Sequence, residues 1–309
     1  MKEVVVFIRS MQFLGTQIVS YPLLYQIKQF WPDCHLRVVA QDNVGKHYLS
    51  LPWVDEFVQA DRFGAVYHAM NSSADLLIVL HFASEKYGAA ALLKRPRFRL
   101  GFKHKRITDF VWTHAHRKDF SEYMGLGNLL VLAAFKPFDP AVAARACVTA
   151  IAAQCADDLP EPSDVVLMPG GGAGDYKRWP IKEFVQLADL LKPSLPSGAS
   201  FCFVLGPDET KEYEWLLSLH RDDFKFLMTR PLPEIAAAVL KAKLVVANDC
   251  GPSHLAQFSG VPYVGVFHEL NREWFWARNN TADVLPWDGS TEIKHVRPED
   301  VLAACLKVI

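Results

Sequence analysis

"VVANDCGPSHLAQFSGVPYVGVF" (245–267) runs from an apolar strand through a polar turn into a short helix and out into a second apolar strand. Short, continuous apolar runs of this kind belong to strands covered on both faces, as in a parallel sheet with helices on either side. A buried strand alone does not account for the polar groups that follow it. Asn248 and Asp249 end the run, Cys250 and Gly251 make a tight turn, Pro252 opens the helix, and His254 falls in the first turn. In open parallel sheets ligands bind beyond the carboxyl ends of the strands, so these groups stand where a ligand would be met.

The same alternation extends outward. In the second half the pattern predicts strands at 165–169, 200–206, 224–228, 244–249 and 263–267, with helices at 181–191, 208–220, 232–242 and 253–260. The first half opens with "VVVFI" (4–8) and an apolar helical stretch at 17–30, then strands at 36–40 and 74–80 and a helical "YGAAALLK" (87–94). Helices follow at 122–135 and 139–156, the second begun by Asp139-Pro140. "DDLPEPSD" (157–164) breaks the apolar rhythm with acids, prolines and a serine, and reads as a linker. The expectation is two doubly wound α/β domains, 1–157 and 164–309. The closing helix, 297–309, is a candidate to pack back on the first of them.

Bulk properties agree with this and exclude several classes. A chain of 309 residues is long enough for two domains of about 150 residues each. A formal net charge of −1 supplies no global field to recruit nucleic acid or an anionic membrane. The basic residues nevertheless cluster in "LLKRPRFRLGFKHKR" (92–106) and "THAHRKDF" (113–120), which form either a solvated surface or a docking strip for something anionic. The cysteines at 34, 147, 155, 202, 250 and 305 are scattered without a C-x-x-C pair, the usage of reduced thiols in a reducing compartment. "MKEVVVFIRS" has too short an apolar stretch for a signal peptide, and no run reaches membrane-spanning length. A cytoplasmic protein is expected, with any membrane contact peripheral.

Two strand ends of the second half carry the candidate chemistry. In "MPGGGAGDYKRWP" (168–180) three consecutive glycines, including Gly171 and Gly172, bring main-chain N–H groups within reach of a ligand, and Lys177 and Arg178 add two cations. The spacing fits neither G-x-G-x-x-G nor the P-loop pattern. In "NDCGPSHL" (248–255) the Cys250-Gly251 turn offers amide donors at the start of a helix, an arrangement suited to phosphate. Cys250 reads as a small turn residue rather than a nucleophile, because no base partner is identifiable. His254 faces either the loop or the core. Glu209, after "LGPD", either accepts from ribose hydroxyls or complements a helix dipole. Together the two loops suggest a diphosphate site.

These segments, "PGGGAGDYKRWPIKEFVQLADLL", "LGPDE" and "LPEIAAAVLKAKLVVANDCGPSHLAQFSGVPYVGVF", resemble the donor-binding half of the heptosyltransferases, glycosyltransferase family 9. D-x-G-x-x-H (249–254) together with K-x-W-P (177–180) carries the likeness, and the first half matches in outline. The resemblance implies a GT-B architecture, two Rossmann-like domains facing a central cleft, with the acceptor on the N-terminal side and the sugar nucleotide on the C-terminal side. It implies metal-free, inverting transfer of heptose from ADP-heptose to the lipopolysaccharide inner core, at the inner face of the inner membrane. No cofactor is implied beyond the ADP-sugar co-substrate, and no acidic metal motif is evident. By position, Lys177 would neutralise the diphosphate and the amides of Cys250 and Gly251 would cradle it. Gly172 and Ala173 would touch phosphate, Glu209 ribose, and Asp249 and His254 the sugar or phosphate. Cys250 replaces the usual threonine.

One departure matters. The family's first loop reads Gly-Asp, and that aspartate is the expected base for the acceptor hydroxyl; here Gly15 is followed by Thr16. Candidate replacements on strand-end loops are Asp42, His81 and Glu85. The strip 92–120, with Lys103, Lys105 and Arg106, would meet phosphates or carboxylates of an anionic glycolipid acceptor. A second reading is a non-catalytic or altered-specificity homologue that binds a nucleotide sugar without turnover. A nicotinamide dehydrogenase is disfavoured by the lack of G-x-G-x-x-G after the first strand. The aromatic segment 268–280 either closes over a ligand or forms a surface patch against the first domain.

Overall fold

The computed structural model describes residues 1–8, 13–70, 74–81, 85–105, 107–155, 161–172 and 174–309. The chain forms two compact units, Met1–Cys147 and Val148–Ile309. In chain order the first contains β1 (Glu3–Phe7), α1 (Leu14–Ile18), α2 (Tyr21–Phe30), β2 (His35–Ala40), α3 (Gly45–Leu49), β3 (Glu56–Gln59), α4 (Phe63–Ala69), β4 (Leu76–Val79), α5 (Glu85–Lys94), β5 (Phe98–Lys103), β6 (His114–Arg117) and α6 (Met124–Ala133). Helix α7 (Pro140–Ala152) spans the division, which lies upstream of the expected linker.

The second unit follows with β7 (Val165–Met168), α8 (Ile181–Leu191), β8 (Phe201–Leu205), α9 (Thr210–Ser218), β9 (Phe224–Met228), α10 (Leu232–Lys241), β10 (Leu244–Asn248), α11 (Ser253–Ser259), β11 (Tyr263–Val266), β12 (Thr281–Val284) and α12 (Pro298–Val308). Both sheets are six-stranded and parallel, in the orders β3-β2-β1-β4-β5-β6 and β12-β11-β10-β7-β8-β9. Counted within each unit, both read 3-2-1-4-5-6. The chain therefore reverses its direction across the sheet between β1 and β4, and again between β7 and β10. At such switch points the flanking loops splay apart and leave a crevice at the carboxyl ends of the strands.

Burial explains which elements were legible. The central strands are apolar on both faces: β1, β4, β7, β8 and β10 are almost wholly buried. Sequence patterning missed β3, β5, β6 and β12. Three are edge strands and β5 is next to the edge, so half-exposed residues interrupt their apolar runs. The helix expected over 17–30 is two helices, α1 and α2, with Pro22 in the first turn of α2. Proline lacks an N–H and is tolerated there but not in a helix interior.

The second core shows the helical period directly. Phe184, Leu187, Ala188 and Leu191 on α8 are buried together, with Val301, Ala304 and Cys305 on α12, against Leu167, Phe203 and Val264 of the sheet. Helix α12 packs on α8, β11 and β12 of its own unit. All six cysteines are free thiols. Among the described residues no helix is long and apolar enough to cross a membrane.

Candidate functional site

The switch point of the second sheet brings together the two loops singled out in sequence. Register pairs Ala247 with Met168, which sets Asn248 level with Pro169 at the end of the ladder. Proline has no N–H to continue the pairing. Asn248 takes over: its Nδ2 donates to the Pro169 carbonyl at 2.7 Å, in a fully buried position. Its Oδ1 is buried and has no hydrogen-bond partner among the described residues. Sequence reasoning noted Asn248 at the strand end but assigned it no role. The signal was present, because an amide closing an otherwise apolar strand needs a local reason.

The three glycines of 170–172 differ in what they permit. A Cβ on Gly170 would stand 3.2 Å from Glu209 Oε2, and one on Gly171 would stand 2.9 Å from Arg178 Cγ. Both are glycine because the protein itself crowds them. A Cβ on Gly172 meets nothing within 4 Å among the described residues, and its φ is not in the left-handed range. Neither packing nor backbone conformation demands a glycine there, so the open side is room for something outside the chain. Among the described residues the amides of Gly170, Gly171, Gly172, Cys250 and Gly251 donate no hydrogen bond within the protein. Ala173 lies outside the described residues.

A discriminating result follows for Gly172→Ala. Stability should rise by about 0.4–1 kcal/mol, because the unfolded chain loses freedom at no steric cost. Affinity for a diphosphate ligand should fall at least about tenfold, because the methyl occupies the approach to the amides. Thermal unfolding and ADP titration of the same variant check both signs. A variant that binds as the parent does would show the open side to be incidental.

The cations of the loop are already paired. Lys177 Nζ lies 2.5 Å from Asp249 Oδ2, both side chains about a fifth exposed. Arg178 donates from Nε to the Gly171 carbonyl at 3.1 Å and pairs through Nη2 with Glu209 Oε1 at 3.2 Å. Glu209 is buried, and its other oxygen accepts from the Gly206 amide at 2.7 Å. Both Glu209 oxygens are thus engaged in bracing the glycine loop against the end of β8. Trp179 next in sequence is buried, donates from Nε1 to the Val296 carbonyl at 2.9 Å, and packs edge-on against Phe184. It anchors the loop that carries Lys177 in the core.

The Asp249–Pro252 turn refines the expectation of a helix N-terminus. The amides of Ser253, His254 and Leu255 point back to the carbonyls of Cys250, Gly251 and Pro252 at 3.0–3.2 Å. The donors left over are those of Cys250 and Gly251, so the loop, not the seven-residue α11, offers N–H groups. Burial pushes the Cys250 thiol up to about 12, the protonated state of a turn residue rather than a thiolate.

His254 lies in the core behind the turn. Its ring stacks obliquely on Trp274, and its Nδ1 stands 3.3 Å from Gln257 Nε2. Gln257 also donates to the Trp274 carbonyl and accepts from the Trp276 amide, tying segment 274–276 to α11. Phe275 and Trp276 are buried against Tyr263, Phe267 and Phe258. The aromatics of 268–280 thus serve their own unit's core, an outcome neither sequence reading anticipated.

Burial lowers the His254 pKa from 6.5 to about 4, with Asp249 opposing. The ring is neutral when folded and takes up a proton more readily when unfolded. Its contribution is complete above pH 6.5 and is lost as pH falls toward 4, at most about 3 kcal/mol. The urea midpoint should drop across that window, and His254→Gln should remove that component of the slope. Equal slopes in parent and variant would contradict a buried neutral ring.

In the first unit Thr16 and His81 follow β1 and β4, the strands of that sheet's switch point, and Asp42 follows β2, the neighbour of β1 on the other side. The Thr16 hydroxyl donates to the Phe13 carbonyl at 2.7 Å and accepts from Gln17 Nε2 at 2.9 Å. It is spent on the helix start. The His81 ring lies 5.1 Å from that of Tyr87. The Glu85 side chain and Arg106 lie outside the described residues. Lys103 ends β5 and Lys105 follows, both exposed. Among the described residues no group of three or more His, Cys, Asp or Glu side chains is placed to hold a metal ion.

Residues 71–299 match the family model of glycosyltransferase family 9 (heptosyltransferase). No curated protein sequence matches the chain. Among solved structures, a family 9 glycosyltransferase from Veillonella parvula is 17% identical with a TM-score of 0.66, covering 99% of this chain and 97% of its own. The E. coli heptosyltransferase WaaC, solved with ADP-2-deoxy-2-fluoro heptose, is 16% identical with a TM-score of 0.67, covering 97% of each chain. E. coli ADP-heptose LPS heptosyltransferase II is 15% identical with a TM-score of 0.60, covering 100% of this chain and 98% of its own. Two parallel α/β sheets of the GT-B type and a family match over most of its length lead to one conclusion: the chain belongs to glycosyltransferase family 9, the heptosyltransferases.

Proposed function

We propose that this protein transfers a heptose from ADP-heptose to a lipopolysaccharide inner-core acceptor, inverting the anomeric centre without a metal, on the cytoplasmic face of the inner membrane. The observation that carries this reading is the set of bare amides at Gly172, Cys250 and Gly251 beside Lys177, at the switch point of β7 and β10. The fold it shares with a heptosyltransferase solved with an ADP-heptose analogue supports it.

Inverting transfer builds positive charge on the sugar and negative charge on the departing ADP. Fixed amides and an ammonium aimed at that growing charge favour the transition state over the bound substrate. Lys177 is held by Asp249 until a diphosphate competes for it, and the exchange leaves the Asp249 carboxylate free to accept from a sugar hydroxyl. Glu209 and Arg178 brace the loop, and His254 supports the turn from behind. His81 after β4, Asp42 after β2 and Glu85 are the candidate bases. Lys103, Lys105 and Arg106 would meet the acceptor's anionic groups.

The engaged hydroxyl of Thr16 favours a second reading, a homologue that binds the nucleotide sugar without turnover. Thermal shift across a panel of nucleotide sugars, run beside a transfer assay, tests both. ADP-heptose at a hundredfold excess over its Kd should stabilise the fold by about 2.7 kcal/mol. Equal, negligible shifts with all ADP-sugars would remove the donor site. A shift without transfer to any core acceptor would establish the second reading.

A further inference from the structure

The edge of the first sheet formed by β5 and β6 displays apolar and cationic side chains together. Ile107 is 91% exposed and Phe110 69%. They stand three residues apart on one 3₁₀ turn, Ile107–Val111, where side chains at i and i+3 eclipse, so both project to the same side. Phe120, just past β6, is 47% exposed. Exposed Lys103 and Lys105 lead into the turn, and exposed Arg117 ends β6.

Register makes Lys103 and Arg117 direct partners across β5 and β6. Like charges opposite one another on a sheet repel, and among the described residues neither forms an ion pair with a carboxylate, Asp119 acting on Arg117 only through its field. Residues 103–120 hold five Lys and Arg against two carboxylates. Asp109 accepts from the His104 amide at 3.1 Å, and Asp119 accepts from the Ser121 amide at 2.8 Å while its charge also acts on Lys118 and Arg117. Asp119 offsets only part of that repulsion, because two acids stand against five bases over this stretch.

A single exposed isoleucine needs no explanation; several apolar tips framed by an excess of exposed cations do. A second copy of this chain would set the same cations face to face across a two-fold axis. A nucleic acid would satisfy the lysines but has nothing to receive Ile107 and Phe110. An anionic bilayer meets both needs, with phosphates for the cations and a headgroup–acyl boundary for the apolar tips. We infer that this edge is an interfacial docking surface for an anionic membrane, in which Ile107, Phe110 and Phe120 enter the lipid boundary while Lys103, Lys105 and Arg117 meet lipid phosphates. The surface belongs to the first unit alone and does not depend on the donor-site reading.

Flotation of the full chain with vesicles tests it, using phosphatidylcholine alone and phosphatidylcholine with about one third phosphatidylglycerol. Binding to the anionic vesicles should exceed binding to the neutral ones at least about tenfold and should weaken with salt, as screening shortens the reach of the surface potential. Ile107→Ser/Phe110→Ser should lower partitioning about tenfold or more at constant charge. Lys103→Ala/Lys105→Ala should do the same by removing two cations. The Ile107→Ser/Phe110→Ser protein should keep its melting temperature and its shift with ADP, since neither side chain packs in the core. Absence of flotation on anionic vesicles at low salt overturns the inference, as does flotation of the Ile107→Ser/Phe110→Ser protein equal to the parent's. Light scattering that shows this variant converting a dimer to a monomer also overturns it, by making the face a contact between copies. None of these failures would alter the ADP-induced shift, so they are distinguishable from failure of the transferase reading.

Discussion

Replacing Lys177 with alanine should lower the turnover of the proposed donor, ADP-heptose, about a hundredfold to a thousandfold, about 3–4 kcal/mol of barrier. Of the loop's two cations, Lys177 stands against Asp249, at the end of the adjacent strand, and Arg178 against Glu209. Removing the lysine takes away stabilisation of the leaving diphosphate and leaves the partly buried Asp249 carboxylate facing the place a phosphate would occupy. The partner variant is expected to behave differently. Asp249→Asn frees Lys177 from its ion pair, so ADP alone should bind as tightly as to the parent or more tightly, while turnover falls. Calorimetric titration of ADP beside steady-state kinetics separates the two effects. Turnover of Lys177→Ala within about threefold of the parent would exclude the lysine from the chemistry, since a charge donor of this kind is worth far more.

Trp179→Ala should cost about 3–5 kcal/mol of stability, the range for deleting a fully buried large aromatic side chain. Trp179 is 1% exposed, its ring centroid is 4.8 Å from that of Phe184, and its Nε1 satisfies the Val296 carbonyl ahead of α12. Trp179→Phe retains much of the volume but leaves that carbonyl without its donor, at about 1–3 kcal/mol. Urea unfolding should therefore rank the proteins parent, Phe, Ala. ADP affinity should fall with the alanine variant, because the anchor immediately follows Lys177 and Arg178. A loss below about 1 kcal/mol for the alanine variant would mean that the loop is held elsewhere.

Legibility in this chain follows burial. Strands such as "VVVF" and "VVLM" lie in the middle of their sheets, where both faces must be apolar, and a run of that kind has few other interpretations. "HAHR" and "TADV" pair along sheet edges with one side in water, and nothing in their composition distinguishes them from loop. The basic stretch 92–120 looked like one charged strip. It contains two strands, a helix end and a 3₁₀ turn, and only folding separates Lys118, buried with its Nζ over the Phe120 ring, from the exposed Lys103 and Arg117.

By itself the sequence determined the alternation of buried strands and amphipathic helices, the two-domain α/β architecture, and the family, because apolar periodicity and the glycine, lysine and aspartate of strand-end loops are local properties. Tertiary structure alone decided which of those groups meet. Lys177 and Asp249 are 72 residues apart, Asn248 and Pro169 are 79, and Trp179 and Val296 are 117. Strand order brings each pair within hydrogen-bonding distance by placing β10 beside β7. The same packing engages both oxygens of Glu209, the residue expected at a ribose, and buries His254, expected at the sugar or phosphate and facing either the loop or the core. A polar residue's spacing tells which loop it belongs to, but the partners that claim its hydrogen bonds come from distant parts of the chain.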